Sequence, residues 1–184
     1  MKYPNGITKN KNTTSYGNRG MNLEYDLNIT NDYYRMCDIA VIYKKPTPIT
    51  INKVDFPNRK DAVIKEAHFK IPSTTDYNGI YKGKYIDFEA KETKLKSFPL
   101  SNIHKHQVEH LKKIIEHGGI GFIIVSFTTE NKIFLLEGNK LIEYIEKDIK
   151  KSIPISYFEN EGYEMKLKFN PRIDYLEIIN KIYF

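Results

Sequence analysis

The sequence predicts a single α/β domain built on a mixed sheet. Two patterns lead there. Short apolar or strictly alternating runs, the mark of strands, are interleaved with segments of helical periodicity. The 184 residues are enough for one domain with a substantial core and short for two. Hydrophobic residues at 40% and charged residues at 28% argue against wholesale disorder.

The elements follow in order. Residues 1–22 hold five Asn, three Gly and three Thr with no apolar periodicity, so 1–20 is expected to be a flexible arm. Asn22 can cap a helix starting at Leu23, with Glu24 and Asp26 suited to the positive end of its dipole. Leu23, Leu27 and Tyr34 fall on one face of it. Ile39 to Tyr43 reads as a buried strand. Pro46 and Pro48 then exclude a central strand. Residues 44–72 are too apolar for a linker and too interrupted for core, and read as an extended projection that leaves the domain and returns.

Tyr85 to Lys91 alternates strictly, with Ile86, Phe88 and Ala90 on one side and Asp87, Glu89 and Lys91 on the other. A helix capped by Ser101 or Asn102 carries the stripe Ile103, Leu111, Ile114 and Ile115 and ends at Gly118-Gly119. Strands are predicted over 121–127, 132–136 and 163–169, and helices after Asn139 and after Pro171.

No run approaches the ~20 apolar residues of a membrane span. One cysteine, Cys37, can form neither an internal disulfide nor a zinc cluster, and fits a reducing cytoplasm with the thiol packed inside. Lys plus Arg exceeds Asp plus Glu by 29 to 23. The excess sits in the front half: residues 1–22 carry four bases and no acid, and residues 44–70 seven bases against three acids, whereas residues 140–184 balance eight against eight. That distribution suits a polyanionic partner such as nucleic acid, although a solvated lysine face would read the same way.

Asp76, Glu89 and Lys91 carry the chemistry. Asp76 precedes Asn78-Gly79, a turn signal, so the following strand is expected to run back and bring Glu89 beside it. Two carboxylates are the usual protein share of a Mg²⁺ site, in which several waters remain. An adjacent ammonium can stabilise the charge that develops in phosphodiester hydrolysis. The spacing alone is equally met by a surface strand with an incidental Glu–Lys pair. Gln107 lies inside an apolar stripe, where its carbonyl oxygen could face the same ion or bond to nearby backbone. His104, His106, His110 and His117 cluster in sequence, but 106 and 110 lack the HExxH arrangement of a zinc helix.

At these residues the chain resembles the RecU family. Pro-Ser-Thr-Thr-Asp-Tyr-Asn-Gly at 72–79, Tyr-Ile-Asp-Phe-Glu-Ala-Lys-Glu-Thr-Lys at 85–94 and Ser-Phe-Pro-Leu-x-Asn-Ile-His-x-His-Gln at 97–107 carry the likeness. Gly-Asn-Arg-Gly-Met-Asn-Leu-Glu at 17–24, the run at 39–48 and Asn-Pro-Arg-Ile-Asp-Tyr-Leu at 170–176 extend it over essentially the whole chain.

The resemblance implies a restriction-endonuclease-like mixed sheet flanked by helices, with 44–72 as a projecting stalk in one nuclease domain. It implies a homodimeric Holliday junction resolvase that acts on four-way junction DNA in recombination and repair, in the cytoplasm, in partnership with the recombinase RecA. It places Mg²⁺, with Mn²⁺ able to substitute, on Thr74, Asp76, Glu89 and Gln107, and makes Lys91 the transition-state stabiliser. The Pro-Asp pair typical of the wider nuclease superfamily is not literal here, because Thr75 precedes Asp76. Arg19, Lys44, Lys45, Arg59 and Lys60 are the expected DNA contacts by charge and position. Phe56, Phe69 and Tyr77 are candidates to stack on bases. A sequence-specific endonuclease of the same superfamily, and a junction binder with a dead site, are the competing readings.

Overall fold

The computed structural model describes residues 23–58, 60–69, 74–147 and 150–184. Helix α1 (Leu23–Met36) buries Leu23, Leu27 and Tyr34, as their spacing predicts. Its first free amide, on Leu23, donates to Glu92 Oε1 at 2.7 Å, which satisfies a group that every helix start leaves open. Strand β1 (Val41–Lys44) follows, then the ribbon strands β2 (Ile49–Asp55) and β3 (Val63–Phe69). Strands β4 (Tyr77–Tyr81) and β5 (Lys84–Thr93) form a hairpin. Then come β6 (Ser97–Pro99), α2 (Lys105–Glu116), β7 (Ile120–Phe127) and β8 (Lys132–Glu137). The chain closes with α3 (Gly138–Glu146), β9 (Ser152–Pro154), α4 (Ile155–Glu161), β10 (Tyr163–Met165) and α5 (Tyr175–Tyr183).

Six strands form one sheet in the order β1-β4-β5-β7-β8-β10. The β5–β7 pairing is parallel and the other pairings in this sheet are antiparallel, so the sheet is mixed, as expected. Helix α2 makes the crossover that a parallel pair requires. One face packs Leu23, Leu27 and Tyr34 of α1 and Leu176 and Ile179 of α5. The other packs Leu111 of α2, Leu141 of α3 and Phe158 of α4. Strand β7 is buried on both faces, which accounts for its unbroken apolar run.

Register across the central strands is marked by aromatic rings. Tyr77, Phe88 and Phe122 occupy one rung of β4, β5 and β7. They stack with centroids 4.8 and 4.7 Å apart. Each such pair adds roughly 0.5–1.5 kcal/mol beyond its buried area.

Several expectations are corrected. Asn78 and Gly79 lie inside β4, and the turn is Lys82-Gly83, both with positive φ, as a two-residue hairpin of this twist demands. Gly79 is required for a different reason: a Cβ there would stand 2.1 Å from the Val41 carbonyl oxygen of β1. The run at 39–43 is an edge strand with only Ile42 of Val41–Lys44 buried, and Tyr43 is covered from outside by the Arg35 guanidinium at 4.3 Å. Cys37 is exposed in the turn after α1. Tyr77 is wholly buried and cannot reach a base. The strand expected at 163–169 stops at Met165, and Leu167 makes only an isolated bridge to Ile173. The helix expected from Ser101 or Asn102 starts at Lys105, after a 3-10 turn over Leu100–Asn102.

Between β1 and β4, where a projection over 44–72 is expected, the described residues form a two-stranded ribbon. Strands β2 and β3 pair only with each other, and every described residue of β3 is exposed. The N-terminal arm, with Arg19, and Arg59 lie outside the described residues.

Substituting Gly79→Ala should force β1 off β4 and cost roughly 1–3 kcal/mol, as overpacked sites do. Chemical denaturation of the variant against the parent protein measures this, and an unchanged midpoint would contradict the close approach.

Candidate active site

The site is built on β5. Its alternation puts Asp87, Glu89 and Lys91 on the face that meets α2, as read from the sequence, but that face is covered and not solvated. Asp87 and Glu89 are fully buried, and the Lys91 side chain is about a quarter exposed. Asp76 stands in the bend before β4, one step past the Tyr77–Phe88 pair, and is thereby opposite Glu89. Its Oδ2 accepts the Ala90 N–H at 3.0 Å. The structure therefore brings together the two acids and the lysine that the spacing singled out.

Glu89 is held from two sides. Gln107 Nε2 donates to its Oε1 at 2.7 Å, and the Lys91 ammonium pairs with the same oxygen. Its other oxygen, Oε2, is buried with no hydrogen-bond partner among the described residues. Burial, and next the negative charge of Asp76, push the Glu89 carboxyl up to about 7 against the pull of Lys91.

Gln107 is buried as predicted, but its oxygen is used differently. It occupies the third position of α2, and Oε1 accepts the His104 N–H at 2.9 Å, one half of a capping box. The group turned toward Glu89 is the amide nitrogen. The cap was missed because His104 is an unusual residue at that position. The Thr74 hydroxyl accepts from the Lys45 ammonium at 3.0 Å and lies at the surface end of the site.

A second cluster, which the sequence reading missed, sits beside the first. Asp87 Oδ2 accepts from Lys45 Nζ at 2.7 Å and from the Tyr85 hydroxyl at 3.0 Å, and lies 3.3 Å from His110 Nε2. Asp87 Oδ1 accepts from the Thr75 hydroxyl. Lys45, expected to face DNA, turns its ammonium inward, with the side chain only 14% exposed. Lys44 pairs with Glu24 at the surface, and Lys60 is exposed at the ribbon tip.

The donor chemistry fits a hard divalent cation. Two carboxylates face each other, and one carries an orphaned buried oxygen. Among the described residues no group of three His, Cys, Asp or Glu side chains converges. His104 and His106 stack on each other at 5.4 Å, whereas His110 serves Asp87. A cleft of about 410 Å³ is lined by Leu23, Glu24, Ala90, Lys91 and Glu92, so of the three site residues it touches Lys91. A comparably large but more apolar cavity lies away from these groups, between α2 and α3.

Comparison with known proteins places the chain. The family model described as Recombination protein U, RecU, matches residues 18–181. The chain belongs to the RecU family. Among its RecU relatives, the Holliday junction resolvase RecU of Geobacillus sp. (strain WCH70) is 54% identical, over 100% of this chain and 98% of that protein. The protein of the same name from Bacillus cytotoxicus is 52% identical over the same shares of the two chains. A solved structure of Hjc, a Holliday junction resolvase from Archaeoglobus fulgidus, aligns with a TM-score of 0.47 and 13% identity, over 77% of this chain and 92% of that one.

The raised Glu89 value has a consequence for stability. Between its ordinary 4.5 and about 7 the folded protein holds a proton that the unfolded chain has lost. The stability this group provides is thus complete below about pH 4.5 and is lost as pH rises through 7. In EDTA, Glu89→Gln should therefore gain on the parent protein between pH 5 and pH 8, by on the order of 2 kcal/mol. Thermal melts of both proteins at the two pH values measure it, and a pH-independent difference would contradict the burial argument.

Proposed function

We propose that this chain is a Holliday junction resolvase, a Mg²⁺-dependent endonuclease that nicks two strands of like polarity in four-way DNA junctions. The reading rests chiefly on one observation: Asp76 and Glu89 face each other beside Lys91, with a buried carboxylate oxygen left open. Full-length RecU relatives that carry the name Holliday junction resolvase support it.

Asp76 and Glu89 are the ligands that would hold Mg²⁺ or Mn²⁺, with Thr74 and Gln107 at the edge of the site. When bound, such an ion supplies Lewis acidity toward the phosphodiester and toward water. The chain's own groups do the remaining work. Gln107 fixes the Glu89 carboxylate through its amide and is itself fixed by the α2 cap. The Lys91 ammonium lies beside Glu89, where it can offset charge that builds on the phosphoryl oxygens. The sheet and α2 keep water from the Glu89 carboxylate.

A resolvase needs two matched cuts, and a two-fold dimer supplies two equivalent sites. The ribbon suits the centre of a junction, because its strands pair only with each other and it exposes Phe56 near Lys60 at the tip and Phe69 at its foot. Lys44, Arg59, Lys60 and Arg19 are the bases assigned to phosphate, a role that carries no sequence information by itself. Work on DNA junctions in recombination and repair suits a cytoplasmic protein, with RecA as the recombinase partner expected of the family.

With Mg²⁺ and equimolar four-way junction, linear duplex and single strand, cutting should be confined largely to the junction; preferential cutting of duplex would sink the resolvase reading. Asp76→Asn and Glu89→Gln should each lower junction cutting by at least about 100-fold. Both should bind the junction in EDTA as the parent protein does, measured by fluorescence anisotropy. Deleting residues 46–70 should weaken junction binding while leaving the melting temperature within a few degrees, and unaltered affinity would remove the ribbon from the interface.

A further inference from the structure

Among the described residues, Asp87 and Lys45 form a buried ion pair beside the site that the proposed chemistry does not use. The Lys45 ammonium has three hydrogens and three acceptors: Thr74 Oγ1 at 3.0 Å, Thr75 Oγ1 at 2.6 Å and Asp87 Oδ2 at 2.7 Å. No donor is left for a phosphate, and the side chain is 14% exposed. Its backbone N–H is also engaged, donating to the Asp76 carbonyl at 2.8 Å. One residue thus grips three consecutive residues, Thr74, Thr75 and Asp76. Asp87 is equally full, with Thr75, Lys45, Tyr85 and His110 around its two oxygens and none of its surface in solvent. A carboxylate so enclosed is not a third ligand for the ion, although it shares a face with Glu89.

The positions of these residues in the chain give the pair its meaning. Lys45 is where the chain leaves the sheet for the ribbon, directly after β1. Thr74 to Asp76 is where it returns, directly before β4. We infer that Lys45 and Asp87 form a positioning clamp that ties both feet of the ribbon to the catalytic strand and so sets the placement of Asp76, rather than a DNA contact and a spare acid. This rests on the reading of Asp76 and Glu89 as cation ligands. It adds a mechanical link: a load on the ribbon reaches Asp76 through one residue, not through the whole sheet.

Electrostatics and positioning predict opposite signs, which makes the clamp testable. Removing the Lys45 charge leaves the site more negative and, by charge alone, should tighten cation binding. Loss of positioning should weaken it. The experiment uses the full chain and titrates Mn²⁺ by calorimetry into the parent protein, Lys45→Met, the neutral pair Lys45→Met/Asp87→Asn, and Asp76→Asn. Junction affinity is measured in EDTA over a range of salt.

Lys45→Met and the double variant should each bind Mn²⁺ at least about tenfold more weakly, the usual effect of removing a group that orients a ligand. Their metal-free junction affinity should stay within about twofold, with an unchanged salt slope. If Lys45→Met does not fold because it strands the Asp87 charge, the double variant carries the test, since it buries no lone charge. Equal or tighter Mn²⁺ binding by the variants overturns the clamp. So does a salt slope shallower by about one, which would make Lys45 a phosphate contact. Undiminished Mn²⁺ binding by Asp76→Asn would instead overturn the site reading beneath it.

Discussion

The pairing of β4 with β5 is the constraint on which the rest depends. Side chains alternate along a strand, so a slip of one residue would move Asp76 and Glu89 to opposite faces of the sheet. The Tyr77–Phe88–Phe122 stack opposes such a slip on one face. The two-residue turn at Lys82-Gly83 sets the same register from the closed end. Gly79 allows β1 to lie close against β4 and carry Lys45 to the same end. Packing on the α1 side thus decides chemistry on the α2 side.

Burying carboxylates on that second face is costly, and the two are treated differently. Asp87 is surrounded by donors, including a lysine, so its charge is compensated within the fold. Glu89 is compensated on one oxygen only. The contrast separates a structural acid from the proposed ligand more clearly than sequence position does, since both belong to the same alternating strand. It also accounts for a helix that opens on His104: Gln107 has to cap α2 and hold Glu89 at once, and its two amide ends do both.

Much of this was legible in the residues. The alternation of 85–91 sorted the acids from the apolar set, and the stripe around Gln107 marked it as buried. The proximity of Asp76 to Glu89 was expected from the wrong turn. Asn-Gly is a strong turn signal, but here the glycine answers a close approach between strands, and the hairpin that follows leaves Asp76 opposite Glu89 all the same. The Lys45–Asp87 pair was not legible, because charge counting treats every base as solvated and nothing local reveals an acid 42 positions away. Cys37 and Tyr43 were misread for a related reason. Burial at an edge strand and at a helix end depends on what covers them, and that is a property of the whole chain.

The ribbon rejoins the body only a few ångströms from where it left, with Lys45 bonded directly to Asp76. A hairpin whose two ends meet on a closed hydrogen-bonded ring can change length or sequence at modest entropic cost to the body, because loop closure depends only weakly on the number of residues enclosed. The reach of the ribbon can therefore change while the floor of the site stays fixed, and the segment between residues 46 and 73 is the natural place to graft a foreign hairpin onto this scaffold.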